Sequence, residues 1–508
     1  MLLLIGLGSA LIYLIALFRF PLLRIYSVPL QNLDKLTASA PGTGLAISAC
    51  VLLLFAGYAL GALALSGKHG HVRRVSLIVL LVPVVFAALL LFVYPTTSLD
   101  VYDYLFRGRM AVRYSANNFV RVPAEFATDP LIAAQPFRFV PWHRAVTAYG
   151  PLWEAMSYSA AWLAGERPGP VPSTVDPLLR QLLIAYKALG ALGFFACGAA
   201  VWGSLDSKRR TLGLYLWLWN PLVLWESVAA AHNDAWMALA VVAAVWACSA
   251  RWAARPVAAW QLAARSQASF LALTVGGLIK YLALIFGPLM LAASLRRLAG
   301  WRARGMLVGL AIVLCAGTVA LAYAPFWQGQ ATFRNFSDRG TLFYATWLSA
   351  FQAGIGDLGL LSREVAQWIA SSLATALLAG GVVWSAWRGW RAPEHIARHA
   401  LWLLLWFLLI CNPWFQPWYL LWAMALAAVQ PERGRVVAAV VVFCLTATLS
   451  YVAGSFLLPA IGWKSDSAAW NLLLALLIYV PPLAILAAGW VGAQVPGKHA
   501  ESAEALYS

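Results

Sequence analysis

Apolar runs of about 18 residues or more recur from one end of this chain to the other, and a helix of that length can cross the hydrocarbon of a bilayer. No other feature restricts the fold as strongly. The runs are continuous rather than alternating, which selects helices over a β-barrel. Composition agrees: 62% of the 508 residues are hydrophobic and 11% charged, whereas a soluble domain carries about a quarter charged residues. The sequence therefore predicts an all-α, polytopic transmembrane helical bundle.

A net charge of +17 raises the question of nucleic acid, but its distribution excludes that partner. The basic residues sit in short clusters between apolar runs, such as Lys68, Arg73 and Arg74, or Lys208, Arg209 and Arg210. Such clusters fix the orientation of spans, with the basic loops facing the cytoplasm. The six cysteines (Cys50, Cys197, Cys248, Cys315, Cys411 and Cys444) all lie within apolar runs. Their spacing makes no zinc or redox motif, and they read as small core residues. The stretch 1–18 has no basic leader and no small-residue cleavage site, so it is expected to be a retained span.

Solving runs and basic clusters together predicts fourteen spans, near 1–18, 44–66, 75–95, 180–203, 211–228, 235–250, 267–280, 282–294, 306–325, 363–386, 399–413, 417–430, 436–458 and 469–491. Several fall short of the roughly 20 residues an isolated span needs, and 267–294 reads as one bent helix or two short ones. With this parity the basic loops share one face, and both termini are expected in the cytoplasm of a multi-pass plasma-membrane protein. The organisation expected is N-terminal spans over 1–95, a large extracytoplasmic loop with short interfacial helices over 96–179, a core module over 180–430, and C-terminal spans with a cytoplasmic tail over 431–508. A loop this long is functional or disordered, and its aromatic content argues for order. Within it, 151–163 reads as an interfacial helix, too short to span. A second outer loop is expected near 328–342.

Five motifs carry chemistry-bearing residues. Asp100-Val101-Tyr102-Asp103 follows the third span. On a helix its two carboxylates would share one face, and at a membrane surface partial desolvation makes a carboxylate a usable general base; the bland reading is a solvated loop start. Tyr149-Gly150-Pro151-Leu152-Trp153 is either loop-to-helix punctuation or part of a site. Asn220-Pro221 breaks an apolar run, followed by Glu226 and then His232-Asn233-Asp234. Here the chain turns back into the membrane, with Ala231 expected to face water. Ionisable residues at that depth are functional candidates, although a polar interfacial turn would look the same. Lys280, followed by Tyr281, interrupts an apolar stretch and needs a counter-charge or a route to water; a lipid phosphate would serve, and so would snorkelling. Asn412-Pro413-Trp414-Phe415-Gln416-Pro417-Trp418-Tyr419 is an aromatic interfacial turn or a ligand-facing one. The 26 tryptophans otherwise read as an interfacial belt.

Taken in order, Asp-Val-Tyr, Tyr-Gly-Pro-Leu-Trp, Asn-Pro-Leu with His-Asn-Asp, Lys-Tyr and Trp-Tyr-Leu-Leu-Trp resemble the polyprenol-phosphate-mannose-dependent mannosyltransferases of the GT-C superfamily, especially the bacterial alpha-1,6 type. The resemblance runs over 97–422; the first two spans lie outside it and the last two add no diagnostic residue. It implies the GT-C fold and an inverting transferase that takes its sugar from a polyprenyl-phosphate donor on the extracytoplasmic side. The base role carries over onto Asp100, with Asp103 beside it, and the family's lysine onto Lys280. Arg334 and Arg339, on the second outer loop, are candidates to close over the same phosphate. Tyr102, Tyr149, Trp153, Glu226, His232, Asn233, Asp234, Tyr281, Gln416, Trp418 and Tyr419 are candidates for substrate contact. No Gly-rich nucleotide loop is present in the sequence, which suits a lipid-linked donor.

No cofactor is expected. Asp100, Asp103 and His232 form a weak ligand set, so a divalent metal is not favoured. The expected partners are the bilayer, the polyprenyl-phosphate sugar and a glycan or glycolipid acceptor. The alternative is a transporter or lipid-linked-sugar flippase without transferase chemistry. Against it, no internal repeat is visible, and the acids concentrate in one asymmetric loop. Transfer of another sugar or of a phospho-group would keep the same fold.

Overall fold

The structure is a computed structural model that describes residues 1–26, 41–66, 73–130, 140, 142–169, 176–249, 258–336, 342–463 and 467–494. The described residues form helices joined by turns, with no strand beyond isolated bridges. Ten helices among them are long and apolar enough to cross a membrane. The chain is thus an all-α, multi-pass membrane protein.

The first three spans are α1 (Leu2–Arg19), α2 (Pro41–Ser66) and α3 (Arg73–Leu91). Beyond α3 the chain forms α4 (Asp100–Tyr114) and α5 (Pro151–Leu163), which pack on each other. Helix α5 begins where the sequence places it, because Pro151 occupies its first turn, where a missing N–H is harmless. The core follows with α6 (Asp176–Ser204), α7 (Ser207–Leu218), α8 (Asp234–Cys248), α9 (Ala259–Ile279), α10 (Gly287–Arg297) and α11 (Trp301–Tyr323). Then come α12 (Trp347–Asp357), α13 (Arg363–Arg391), α14 (Ile396–Trp406), α15 (Leu420–Ala428), α16 (Gly434–Val452) and α17 (Ala468–Gln494).

Burial separates core from lipid-facing helices. All residues of α15 are buried, and α8 packs against α6, α9 and α15, its many alanines permitting close backbone approach. In α11, Leu310, Ile312, Val313 and Leu321 are exposed. A helix apolar on all sides and open on most of them belongs against acyl chains.

Fourteen spans were expected and ten helices reach full length; the other four are short for a physical reason. Segments 207–229, 234–248, 287–297 and 417–428 are pieces of chain broken at polar residues. Asn220 ends one helix and caps the next, its side-chain oxygen accepting from the Leu222 and Val223 amides. Lys280 stands in extended conformation between α9 and a 3-10 turn, Tyr281–Phe286, so the 267–294 stretch is two helices rather than one bent one. Asn412 ends the Pro393–Cys411 span after the π turn Phe407–Cys411, and the short 417–428 segment starts beyond that break. Broken backbone at membrane depth survives only where protein buries it or where it lines a cavity. Helix α12 was not expected; it fills part of the chain between α11 and α13, starting from a Thr346 cap that accepts from the Ser349 amide.

Candidate functional site

The α4–α5 layer is held by buried ion pairs. Arg107 donates to Asp103 (2.8 Å) and to the carbonyls of Ala145 (2.9 Å) and Trp142 (3.3 Å). Arg109 bridges Asp129 and Glu166, and Arg113 meets Glu166 at 2.8 Å. Glu154 accepts from Thr147 and Asn118, and burial raises its carboxyl above the usual range. These contacts order much of the long loop. They also correct one expectation: α4 does form, but Asp103 turns into this layer against Arg107 while Asp100 alone faces the cavity.

Gly150 is the hinge between layer and bundle. Its amide donates to the Ile279 carbonyl (3.1 Å), and a β-carbon at this position would overlap the Leu278 carbonyl. The Tyr281 hydroxyl closes the same junction by donating to the Tyr149 carbonyl (3.2 Å), and it pairs with the Tyr323 hydroxyl.

A cavity of about 480 Å³ opens beneath the layer, within the range of small-molecule sites. Asp100, Tyr149, Lys280, Gln416, Trp418 and Tyr419 line it, together with Trp142, Trp414 and Trp422. Asp100 is the first residue of α4, where the helix dipole favours a carboxylate. The Tyr149 hydroxyl lies 3.5 Å from Asp100 Oδ2 and 3.1 Å from the Tyr104 hydroxyl. Lys280 donates to both oxygens of Asp234, at 2.8 and 2.9 Å, and sits over the rings of Tyr419, Trp422 and Tyr149. The counter-charge the sequence demanded is thus protein, and Asp234, a candidate for substrate contact, is fully buried in that pair.

His232 stacks on Trp418 at 4.0 Å between centroids. Its Nδ1 lies 3.8 Å from Asp100 Oδ2 and its Nε2 3.2 Å from Glu226 Oε2. Glu226 is carried by a π turn, Trp225–Ala229, and lines a second space, an apolar groove of about 430 Å³ walled by α1, α2 and α16. Thr97 borders both spaces.

Other candidates lie elsewhere. Tyr102 is buried beside Tyr94, and Trp153 packs behind the cavity on Tyr104 and Tyr149. Asn233 is fully buried next to His232. Arg334 is exposed on the turn Ala331–Phe336, and its charge acts on Glu125 rather than on the cavity. Arg339 lies outside the described residues. Ala231, expected to face water, is buried in a left-handed conformation (φ 62°), because the turn is packed under α6. Sequence reasoning missed Trp142, which lines the cavity, and Tyr451, which lines the groove beside Glu226; Trp414 reads only as part of its motif. A tyrosine inside the apolar run of α16 is a usable signal for Tyr451; Trp142 is hidden among the interfacial tryptophans.

The family comparison decides the class. Residues 4–296 match the model of the alpha-(1->6)-mannopyranosyltransferase N-terminal domain, and residues 345–480 that of the MptB C-terminal domain. The chain belongs to the alpha-(1->6)-mannopyranosyltransferase family. No curated protein and no solved structure gives a match. The N-terminal match contains Asp100, Glu226, His232 and Lys280, and the C-terminal match contains Gln416, Trp418 and Tyr419. A mannosyltransferase family sets aside the transporter reading: the pieces of chain that meet at the cavity belong to a glycosyltransferase.

Proposed function

We propose that this mannosyltransferase takes mannose from a polyprenyl-phosphate donor and passes it, with inversion, to a hydroxyl of a glycan or glycolipid on the extracytoplasmic side of the plasma membrane. Both termini are then cytoplasmic, and no cofactor is required. The observation that carries the reading is a shared wall: Asp100 and Lys280 line one cavity, and Thr97 joins that cavity to an apolar groove open to α1 and α2. A lipid-linked donor needs both environments at once.

The chemistry follows from the residues. As the bond from the anomeric carbon to phosphate oxygen lengthens, the sugar gains oxocarbenium character. The Lys280 ammonium meets the charge that builds on the departing phosphate, an interaction that strengthens in the transition state. Asp100 takes the acceptor proton as the new glycosidic bond forms. The aromatic wall of Trp142, Trp414, Trp418 and Tyr419 offers apolar faces against which sugar rings can lie.

The test is transfer from radiolabelled polyprenyl-phosphate-mannose by the purified protein in detergent, with and without an oligomannoside acceptor. Label in the glycan supports the reading; turnover with a nucleotide sugar alone overturns it. The side is tested by Thr128→Cys, an exposed position of the α4–α5 layer, which should react with a membrane-impermeant maleimide added to whole cells.

A further inference from the structure

Three titratable side chains stand in a row between the two spaces. Asp100 faces the cavity, Glu226 faces the apolar groove, and His232 is wholly buried between them, 3.8 Å from one carboxylate and 3.2 Å from the other. The ring cannot swing away, because Trp418 lies flat against it. Glu226 Oε2 and both ring nitrogens lack an aligned hydrogen bond, although the 3.2 Å separation is a hydrogen-bond distance.

The backbone beneath this row is built to hold it. Lys187 of α6, fully buried, donates to the Ala229 carbonyl that ends the π turn (2.5 Å) and to the Val93 carbonyl that ends the α3 segment (2.6 Å). It ties the turn carrying Glu226 to the segment leading to Asp100. One turn along, Gly190 leaves room for the Ser227 carbonyl, which any β-carbon there would overlap.

Among the described residues no lysine or arginine pairs with Glu226. The charged and titratable groups facing the row are Tyr451 from α16, Asp234 at the start of α8, Lys280 at the end of α9, and, on the Asp100 side, Tyr149 with Tyr104 of α4 behind it. A neutral imidazole donates from one nitrogen only, so with the ring neutral one of the two flanking carboxyls must carry a proton for both contacts to be satisfied; burial disfavours the doubly protonated, charged ring.

Resting on the proposed transfer reaction, we infer that Glu226 works as a neutral carboxylic acid whose O–H is donated to His232 Nε2, fixing the tautomer that points Nδ1–H at Asp100. The imidazole then holds Asp100 ionised and aimed into the cavity. Glu226 and His232 are positioning residues that act through the base, not substrate contacts. No bond is made or broken in this arrangement; the proton of Glu226 stays where it is through the cycle.

An amide can imitate a neutral carboxyl as donor, and a leucine cannot, so the two substitutions separate the possibilities. Glu226→Leu should lower kcat about a hundredfold, with KM for the lipid donor little changed. Glu226→Gln should recover at least tenfold of that loss. The wild-type protein should lose rate on the alkaline side, where Glu226 ionises and the tautomer is released, and Glu226→Gln should lack that fall. Equal inactivation by both substitutions, or an unchanged alkaline limb in Glu226→Gln, overturns the inference. A readout that needs no turnover keeps it separate from the transfer reading. In ¹⁵N-histidine-labelled protein, the signal lost in His232→Gln should be that of a neutral ring protonated at Nδ1, and Glu226→Leu should shift it toward the other tautomer. A ring protonated at Nε2, or at both nitrogens, overturns the inference even if mannose transfer is confirmed. A correct tautomer in a protein that transfers no mannose removes the reaction and leaves the array standing.

Discussion

Lys280 Nζ lies 2.8 and 2.9 Å from the two carboxylate oxygens of Asp234, and Asp234 has no exposed side-chain surface while Lys280 keeps 18% of its own. The pair is therefore lopsided: the acid is committed to the lysine, and the lysine still reaches the cavity. Removing the cation alone leaves a buried carboxylate uncompensated, at a cost of about 3–5 kcal/mol. Lys280→Met should thus lower both yield and activity, and cannot by itself report on phosphate binding. The double variant Lys280→Met with Asp234→Asn should recover yield and thermal stability but not donor affinity. A double variant with wild-type turnover would remove Lys280 from the donor site.

Asp100 and Asp103 should separate cleanly. Asp100→Asn should fold normally and lose roughly two to four orders of magnitude in rate, the range of a general base. Asp103→Asn weakens a buried ion pair with Arg107 and should act on melting temperature first, with kcat per folded molecule largely kept. If the two variants show the reverse pattern in single-turnover transfer and thermal melts, the base is Asp103.

Gly150→Ala should be far more damaging than an exposed glycine-to-alanine change. Its methyl would displace the Leu278 carbonyl and break the Gly150 amide bond to Ile279, separating the α4–α5 layer from α9. Overpacking of this kind costs about 1–3 kcal/mol. The melting temperature in detergent should fall accordingly, and Gly203→Ala, with open space around its β-position and no positive φ, controls for crowding.

Glu154 gives the folded layer a pH dependence. Burial holds its carboxyl above the usual range, so the folded state favours the protonated form. Below the ordinary carboxylate range both states are protonated and the group is neutral in effect. As pH rises above that range, the unfolded chain gains more from ionisation and stability declines until the folded-state value is passed. Glu154→Gln should flatten this part of the melting-temperature profile. A profile identical to wild type would show that Glu154 does not govern it.

The sequence made some of this plain and hid the rest, for reasons visible in particular residues. The start of α5 was legible because Gly150-Pro151 is a local signal. The break at Lys280 was left open between a bend and a gap, since apolar periodicity does not register a residue that leaves the helix while its neighbours stay in it. The partner of Lys280 is not legible in the sequence: Asp234 is 46 residues away, and each alone reads only as an isolated cost. Nor could spacing show that Asp103 faces Arg107, because i and i+3 share a helical face only broadly and the layer above decides which one is buried. Lys187 carries the same signal as Lys280, a cation in an apolar run.

The three helix breaks, at Asn220, Lys280 and Asn412, belong to stretches that leave the ribosome at quite different times. Asp100, His232 and Lys280 are already synthesised before Trp418, the ring that clamps His232, emerges. Domains generally fold from the N-terminus as the chain emerges, so a partly made chain holds the acids and the lysine without the wall that turns them into a site. On the proposed mechanism, a chain truncated after α13 should insert into the bilayer and transfer no mannose there.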